Sequence, residues 1–151
     1  MKKVLMTAMT NSISEVMETM FFMPVEIGPE MILNDSGIDL NNALACRLNF
    51  TGDIGGNIDV ISPEPLVAEL TSNFLGETKA ELTWEQQFGT LSEMLNMVCG
   101  NALKKVKCRR PYKLGIPEKI TSTDLNGTAE CTLIETMDSK MAILLSIHVG
   151  Q

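Results

Sequence analysis

Between Thr83 and Lys107 the chain reads TWEQQFGTLSEMLNMVCGNALKKVK, with no proline and with apolar residues recurring every three or four positions. At about 100° per residue, Trp84, Phe88, Leu91, Leu95, Val98, Ala102 and Val106 fall on one arc, which predicts a long helix packed along that arc. Glu93 and Asn96 project from the other side, together with Gly89 and Gly100. Each glycine costs about 1 kcal/mol against Ala in a helix interior. The outer face is therefore low in bulk at some expense of helix stability. Thr83 is placed to cap the first turn, with Gln86 at the reciprocal capping-box position.

The same periodicity over residues 3 to 22 predicts a first helix with Leu5, Met9, Ile13, Val16, Met17 and Met20 inward and Pro24 ending it. A capping box at Ser12 and Glu15 would start that helix later. Met17, Met20, Phe21, Phe22 and Met23 are expected to pack on the sheet or the long helix. From Pro24 to Asn42 turn residues dominate, leaving only Met31 to Leu33 as a short strand. Leu44, Cys46, Leu48 and Phe50 then alternate with Ala45, Arg47 and Asn49, the period of a half-buried strand. After a turn at Thr51 to Gly55, Gly56 to Ser62 returns as the second arm of a hairpin.

Ser62 and Pro63 read as a helix start, Leu66, Val67, Leu70, Phe74 and Leu75 as its buried stripe, and Gly76 as its C-terminal cap. Glu77 to Leu82 is a short polar connection. Strands are expected weakly at Tyr112 to Ile116 and clearly at Ala129 to Glu135 and Met141 to Val149, the last two joined by a turn at Met137 to Lys140. The sum is one α+β domain over residues 1–151, with helices laid on a largely antiparallel sheet.

Composition narrows the function. A net charge of −7 disfavours broad binding to nucleic acid or anionic membrane, which depends on Lys and Arg meeting phosphates. The local exception is Lys104, Lys105, Lys107, Arg109, Arg110 and Lys113, which read either as cations favoured at a helix C-terminus or as an attraction for an acidic partner. Cys46, Cys99, Cys108 and Cys131 form no C-x-x-C pair and, with a single His148, no zinc constellation. Cys46 and Cys99 read as small buried hydrophobes, which fits a reducing compartment. The opening MKKVLMTAM is too short for a signal peptide, and no window reaches a membrane span. A cytoplasmic, soluble protein is expected.

One histidine leaves no Ser-His-Asp, Cys-His or H-E-x-x-H arrangement. The glycines of Gly52 to Gly56 lie between strands, where they make no phosphate cradle. Glu93 and Asn96 remain. Three apart on a helix, their side chains reach one external object together. A carboxamide is no general base, yet it donates to and accepts from a water at once and so fixes its direction. That suits phosphoryl hydrolysis, which asks for an in-line water and electrostatic stabilisation. Glu93 could hold a cation of the partner. The same pair is also met on helices as plain solvated polarity, and the residues alone leave both readings open.

The segment Leu91 to Leu103, LSEMLNMVCGNAL, closely resembles the helix carrying the E-x-x-N signature of the CheX branch of the CheC, CheX and FliY chemotaxis phosphatases. The order of elements, with the TGDIGG turn and the NFLGE helix end, is similar along nearly the whole chain. The resemblance implies a phosphatase acting on the phosphoaspartate of a CheY-like receiver domain. Asn96 would orient the attacking water and Glu93 would pair with a receiver lysine. Gly89, Met97 and Gly100 would border the docked partner. No cofactor or metal would be bound by this chain, Mg2+ belonging to the receiver.

CheC-type members resemble an internal duplication with two signatures. Here Glu15 and Glu18 lack an asparagine three positions on, and Asp39 and Asn42 sit in a turn-rich stretch, so a single site is implied. The resemblance to CheX members, which associate as homodimers through their sheets, implies a homodimer formed through an exposed edge strand here. Two other uses of the face are a non-catalytic module binding a receiver or signalling complex and a structural dimerisation face, in which Glu93 and Asn96 would be buried between subunits.

Overall fold

The computed structural model describes residues 1–148. Three helices, α1 (Lys2–Met20), α2 (Glu64–Leu75) and α3 (Trp84–Lys104), accompany seven strands. The strands are β1 (Glu26–Ile32), β2 (Ala43–Thr51), β3 (Gly55–Pro63), β4 (Lys113–Leu114), β5 (Glu118–Ile120), β6 (Glu130–Glu135) and β7 (Lys140–His148). They form one sheet in the order β1-β6-β7-β3-β2-β4, with β5 also pairing with β2. Every pairing is antiparallel. The α+β expectation holds.

Strand alternation divides the apolar residues between two cores. Leu44, Cys46, Leu48 and Phe50 of β2, Ile58 and Val60 of β3, and Met141, Ile143 and Leu145 of β7 face the three helices. Ala45, Ile61, Ala142 and Leu144 point to the opposite face, where they cluster with Ile120 of β5 and with Leu33 and Ile38 from the connecting segments. Both sets in β7 are thus buried, which is why its sequence is nearly continuous in apolar residues. Each fully buried Leu or Ile contributes about 1.5–3 kcal/mol of transfer free energy. The centre of the sheet is tightly built: a Cβ on Gly56 would stand 2.2 Å from the Ser146 carbonyl of β7.

Several elements differ from expectation. The first strand spans Glu26–Ile32 rather than Met31 to Leu33, with its register shifting between Ile27 and Glu30. Gly28 and Pro29 occupy that irregularity on an edge strand, where a missing N–H breaks no ladder. α1 begins at Lys2, and Ser12 is not a cap but a fully buried side chain. Met20 and Phe22 are exposed while Met17, Phe21 and Met23 are buried. Phe22 takes a left-handed conformation (φ 55°), which turns the chain out of the helix.

Ser62 caps nothing: its hydroxyl donates to the Pro63 carbonyl at 3.2 Å, and Pro65 supplies the proline of the first turn of α2. Gly76 does end that helix, at φ 71°. The weak strand at 112–116 is reduced to the two residues of β4, and β5 is additional. Val149, expected on the last strand, lies outside the described residues.

Candidate functional site

α3 starts where expected. The Gln86 N–H donates to Thr83 Oγ1 at 3.1 Å and the Thr83 N–H to Gln86 Oε1 at 2.8 Å, the reciprocal capping box. The helix ends at Lys104 rather than Lys107. Its inner face buries Leu91, Met94, Leu95, Val98, Cys99 and Ala102 to within 1% of complete. Burial pushes the Cys99 thiol far up and the Cys46 thiol up as well, which makes both poor nucleophiles. Trp84 departs from its predicted arc. It is 49% exposed, stacked on Phe88 at 5.6 Å between ring centroids, with Lys119 Nζ 4.3 Å above its ring. A first-turn residue of α3 is thereby tied to β5 through a cation–π contact instead of entering the core.

The outer face carries Gly89 and Glu93, both exposed, and Asn96, Met97 and Gly100, each half-buried. Met97 also packs against the helix-side core, so it belongs partly to the interior. Glu93 enters no ion pair among the described residues. One to two turns on, by contrast, Asn101 is held by Ser12 Oγ at 3.2 Å and by Glu15 at 3.4 Å. Glu15, the acidic residue of α1 nearest in pattern to a second signature, is thus occupied structurally, and Lys105 reaches it at 3.6 Å. Asp39 and Asn42 are likewise spent on each other, the Asn42 amide donating to Asp39 at 2.7 Å.

The two glycines are not demanded by the fold. Among the described residues a Cβ on Gly89 would meet nothing within 4 Å, and one on Gly100 only the Leu114 side chain at 3.9 Å, an ordinary contact. The roughly 1 kcal/mol each costs in a helix interior has no compensation within the chain.

Among the described residues no group of three or more His, Cys, Asp and Glu side chains is arranged to hold a metal ion. No helix there is long and apolar enough to cross a membrane. His148, on β7, is exposed and within 3.2 Å of the Asn57 amide. The sequence pattern marks a weak strand at Tyr112 to Ile116, realised as the two residues of β4, but does not reveal the groove this segment forms with the end of α3. Tyr112 and Leu114 line an open groove of about 570 Å³ together with Gly100, Leu103 and Val106. That groove depends on β4 meeting the end of α3, a non-local contact that local periodicity does not encode.

The architecture is thus a helix-covered antiparallel sheet whose longest helix presents a carboxylate and a carboxamide on its outer face. The chain belongs to the chemotaxis phosphatase CheX family, whose model matches residues 44–136 and so includes Glu93 and Asn96. Among solved structures, chemotaxis protein CheX from Vibrio vulnificus is similar over 95% of this chain and 99% of its own, with a TM-score of 0.75 at 16% identity. A CheC-like superfamily protein from Shewanella sp. PV-4 is similar over 98% and 99%, TM-score 0.74, 17% identity. A chain of the CheX–CheY–BeF3–Mg complex from Borrelia burgdorferi is similar over 95% and 97%, TM-score 0.72, 15% identity. No curated protein sequence matches the chain significantly.

Proposed function

We propose that this protein accelerates hydrolysis of the phosphoaspartate on a CheY-like receiver domain. The observation that carries the reading is the outer face of α3. Glu93 stands exposed and without an ion pair among the described residues, one turn from Asn96, between two glycines that the fold itself does not require. Membership of the CheX family and the likeness to a CheX chain in complex with CheY support it.

In this mechanism α3 lies against the receiver and Gly89 and Gly100 give its backbone room. The Asn96 carboxamide accepts from and donates to one water, holding it in line with the phosphorus. The water oxygen bonds to phosphorus as the phosphorus–oxygen bond to the receiver aspartate breaks. Inorganic phosphate leaves, the aspartate recovers its carboxylate and the water's proton passes to solvent. Glu93 pairs with a receiver lysine and so sets the register in which Asn96 reaches the site. This chain's residues would hold no metal; a Mg2+ held by the receiver would supply charge stabilisation to the phosphoryl group.

A cytoplasmic location, a single domain and association of two copies through a sheet edge are part of the same proposal. β1, the outermost strand on its side, exposes most of its residues.

The test is phosphate loss from the host's phosphorylated receivers, with wild type beside Asn96→Ala. A cognate receiver is expected to lose phosphate faster with wild type only. Equal acceleration by both proteins removes the assignment of Asn96. Binding of the receiver without any acceleration shifts the protein to a non-catalytic binding module.

A further inference from the structure

The six cations at residues 104–113 are more than a helix end asks for. Only Lys104 lies in the last turn of α3, where the helix dipole favours it. Lys105 and Arg110 are met by Glu15 and Asp53, whereas Lys104, Lys107, Arg109 and Lys113 are exposed and enter no ion pair among the described residues. The loop that carries them is fastened. Asp53 accepts from the Arg109 backbone N–H and lies 3.5 Å from the Arg110 guanidinium, and the first of these contacts holds its carboxyl below the ordinary carboxylate range.

This corner borders the groove of about 570 Å³, whose apolar wall is Leu103, Val106, Tyr112 and Leu114 and whose charge comes from Lys104 and Arg109. Gly100 lies in both the groove and the outer face of α3, so the two surfaces are continuous. Tyr112, on the same wall, keeps a hydroxyl that is closed off from solvent and without a partner among the described residues. In a chain of net charge −7, two unpaired cations lining an apolar cleft, with the unpaired Lys107 and Lys113 on the same stretch of chain, select an acidic partner with an apolar side chain to bury.

We infer that the groove between the C-terminal end of α3 and β4 is a second docking point for the receiver, taking an acidic segment with one apolar side chain. The inference rests on the receiver-phosphatase reading for its partner but not on Asn96. Glu93 and Asn96 act at the phosphoryl site, and the groove sets affinity and approach.

The test uses the full chain and the host's receiver domains activated with beryllofluoride and Mg2+, with Kd measured at low and high salt. Two variants probe the halves of the groove separately: the double reversal Lys104→Glu with Arg109→Glu, and Leu114→Asp. Thermal melting accompanies both. The charge reversal is expected to weaken binding about tenfold at low salt and about twofold at high salt, raising KM rather than lowering kcat. Leu114→Asp is expected to weaken binding at both salts with an unchanged melting temperature.

Affinities within twofold of wild type for both variants overturn the inference, as does wild type that binds no activated receiver. Unchanged receiver binding with reduced capture of a single-stranded oligonucleotide overturns it in favour of a polyanion. Asn96→Ala in the same assay judges the phosphatase reading alone: if it leaves the rate unaltered, the Kd data still decide the groove.

Discussion

The hydroxyl of Ser12, at the middle of α1, donates to the Val98 carbonyl oxygen of α3 at 2.8 Å and accepts from the Asn101 amide at 3.2 Å. Val98 is two residues beyond Asn96. This buried peg fixes the position of α3 along α1 from behind, directly under the face proposed to meet the receiver. Replacing it tests whether that support is energetic. Ser12→Ala is expected to lower unfolding stability by about 1 kcal/mol, since one buried hydrogen bond goes while the Asn101 amide keeps Glu15. Ser12→Val, which adds bulk at a side chain with no solvent exposure, is expected to cost more. Denaturant titration checks the order.

Asn96 and Glu93 are expected to fail differently. Loss of a group that positions the attacking water falls on kcat, by about 10²- to 10³-fold for Asn96→Ala, in the range seen when one transition-state donor is removed. Loss of a partner-clamping carboxylate falls on KM, so Glu93→Ala is expected to approach the wild-type rate at high receiver concentration. Neither change should lower stability, because Ala is the better helix former and neither position is fully buried. Equal losses of kcat in the two variants would show that both groups act at the phosphoryl centre.

How much of this was legible in the sequence varies with the kind of signal. The capping box at Thr83, the inner arc of α3 and the alternation in β2 and β7 obey the helical and strand periods, and the structure reproduces them. The separation of Glu93 and Asn96 from the core followed from the same angles. Non-local pairing was not legible. β1 reads as turns because Gly28 and Pro29 interrupt it, yet β6 supplies its ladder. Trp84 follows the helical period but stays outside, because Lys119 of a distant segment meets its ring. The groove at Leu114 arises where β4 meets the end of α3, another non-local contact.

Gly89 separates stability from docking. Among the described residues nothing lies within 4 Å of its would-be Cβ. Gly89→Ala is therefore expected to raise stability by about 1 kcal/mol, the helix-propensity difference. Gly89→Trp keeps most of that backbone gain but fills the clearance, and it is expected to weaken receiver binding at least tenfold. Melting temperature and receiver Kd, measured on the two variants together, decide whether the glycine serves an interface. If Gly89→Trp binds like wild type, the space beside it plays no part in docking.

Asp53 makes the basic loop sensitive to acid. Its folded carboxyl titrates below the ordinary value, chiefly because it accepts from the Arg109 backbone N–H. A depressed carboxyl contributes its stabilisation above the unfolded value of about 3.9 and loses it as pH falls through the lower, folded value. The loop at 107–113 is accordingly expected to stay fastened at neutral pH and to loosen only in acid. NMR titration of the Asp53 carboxyl should give a midpoint below 3.9. Amide exchange across the loop, referenced to the intrinsic pH dependence, should lose protection in the same window. A midpoint at or above the unfolded value would mean that the clamp does not persist in solution.

On the sheet face opposite the helices, Arg47 and Asp59 pair side by side across β2 and β3, Nε to Oδ1 at 2.8 Å and Nη2 to Oδ2 at 2.9 Å. Their exposures are unequal, 29% for the Arg47 side chain and 7% for that of Asp59. The cost of breaking a buried pair is mainly the charge left behind. Arg47→Ala strands a nearly buried carboxylate and is expected to cost about 3 kcal/mol or more, whereas Asp59→Ala leaves a guanidinium that can still reach water and is expected to cost less. Arg47→Met with Asp59→Val removes both charges with little change in total volume, and it is expected to recover most of the stability lost in Arg47→Ala. Chemical denaturation of the three variants checks the sequence. If Asp59→Ala proves the more damaging, the guanidinium rather than the carboxylate is the group that cannot be left alone. Because this pair lies on the far side of the sheet from α3, receiver dephosphorylation by any variant that remains folded should match wild type.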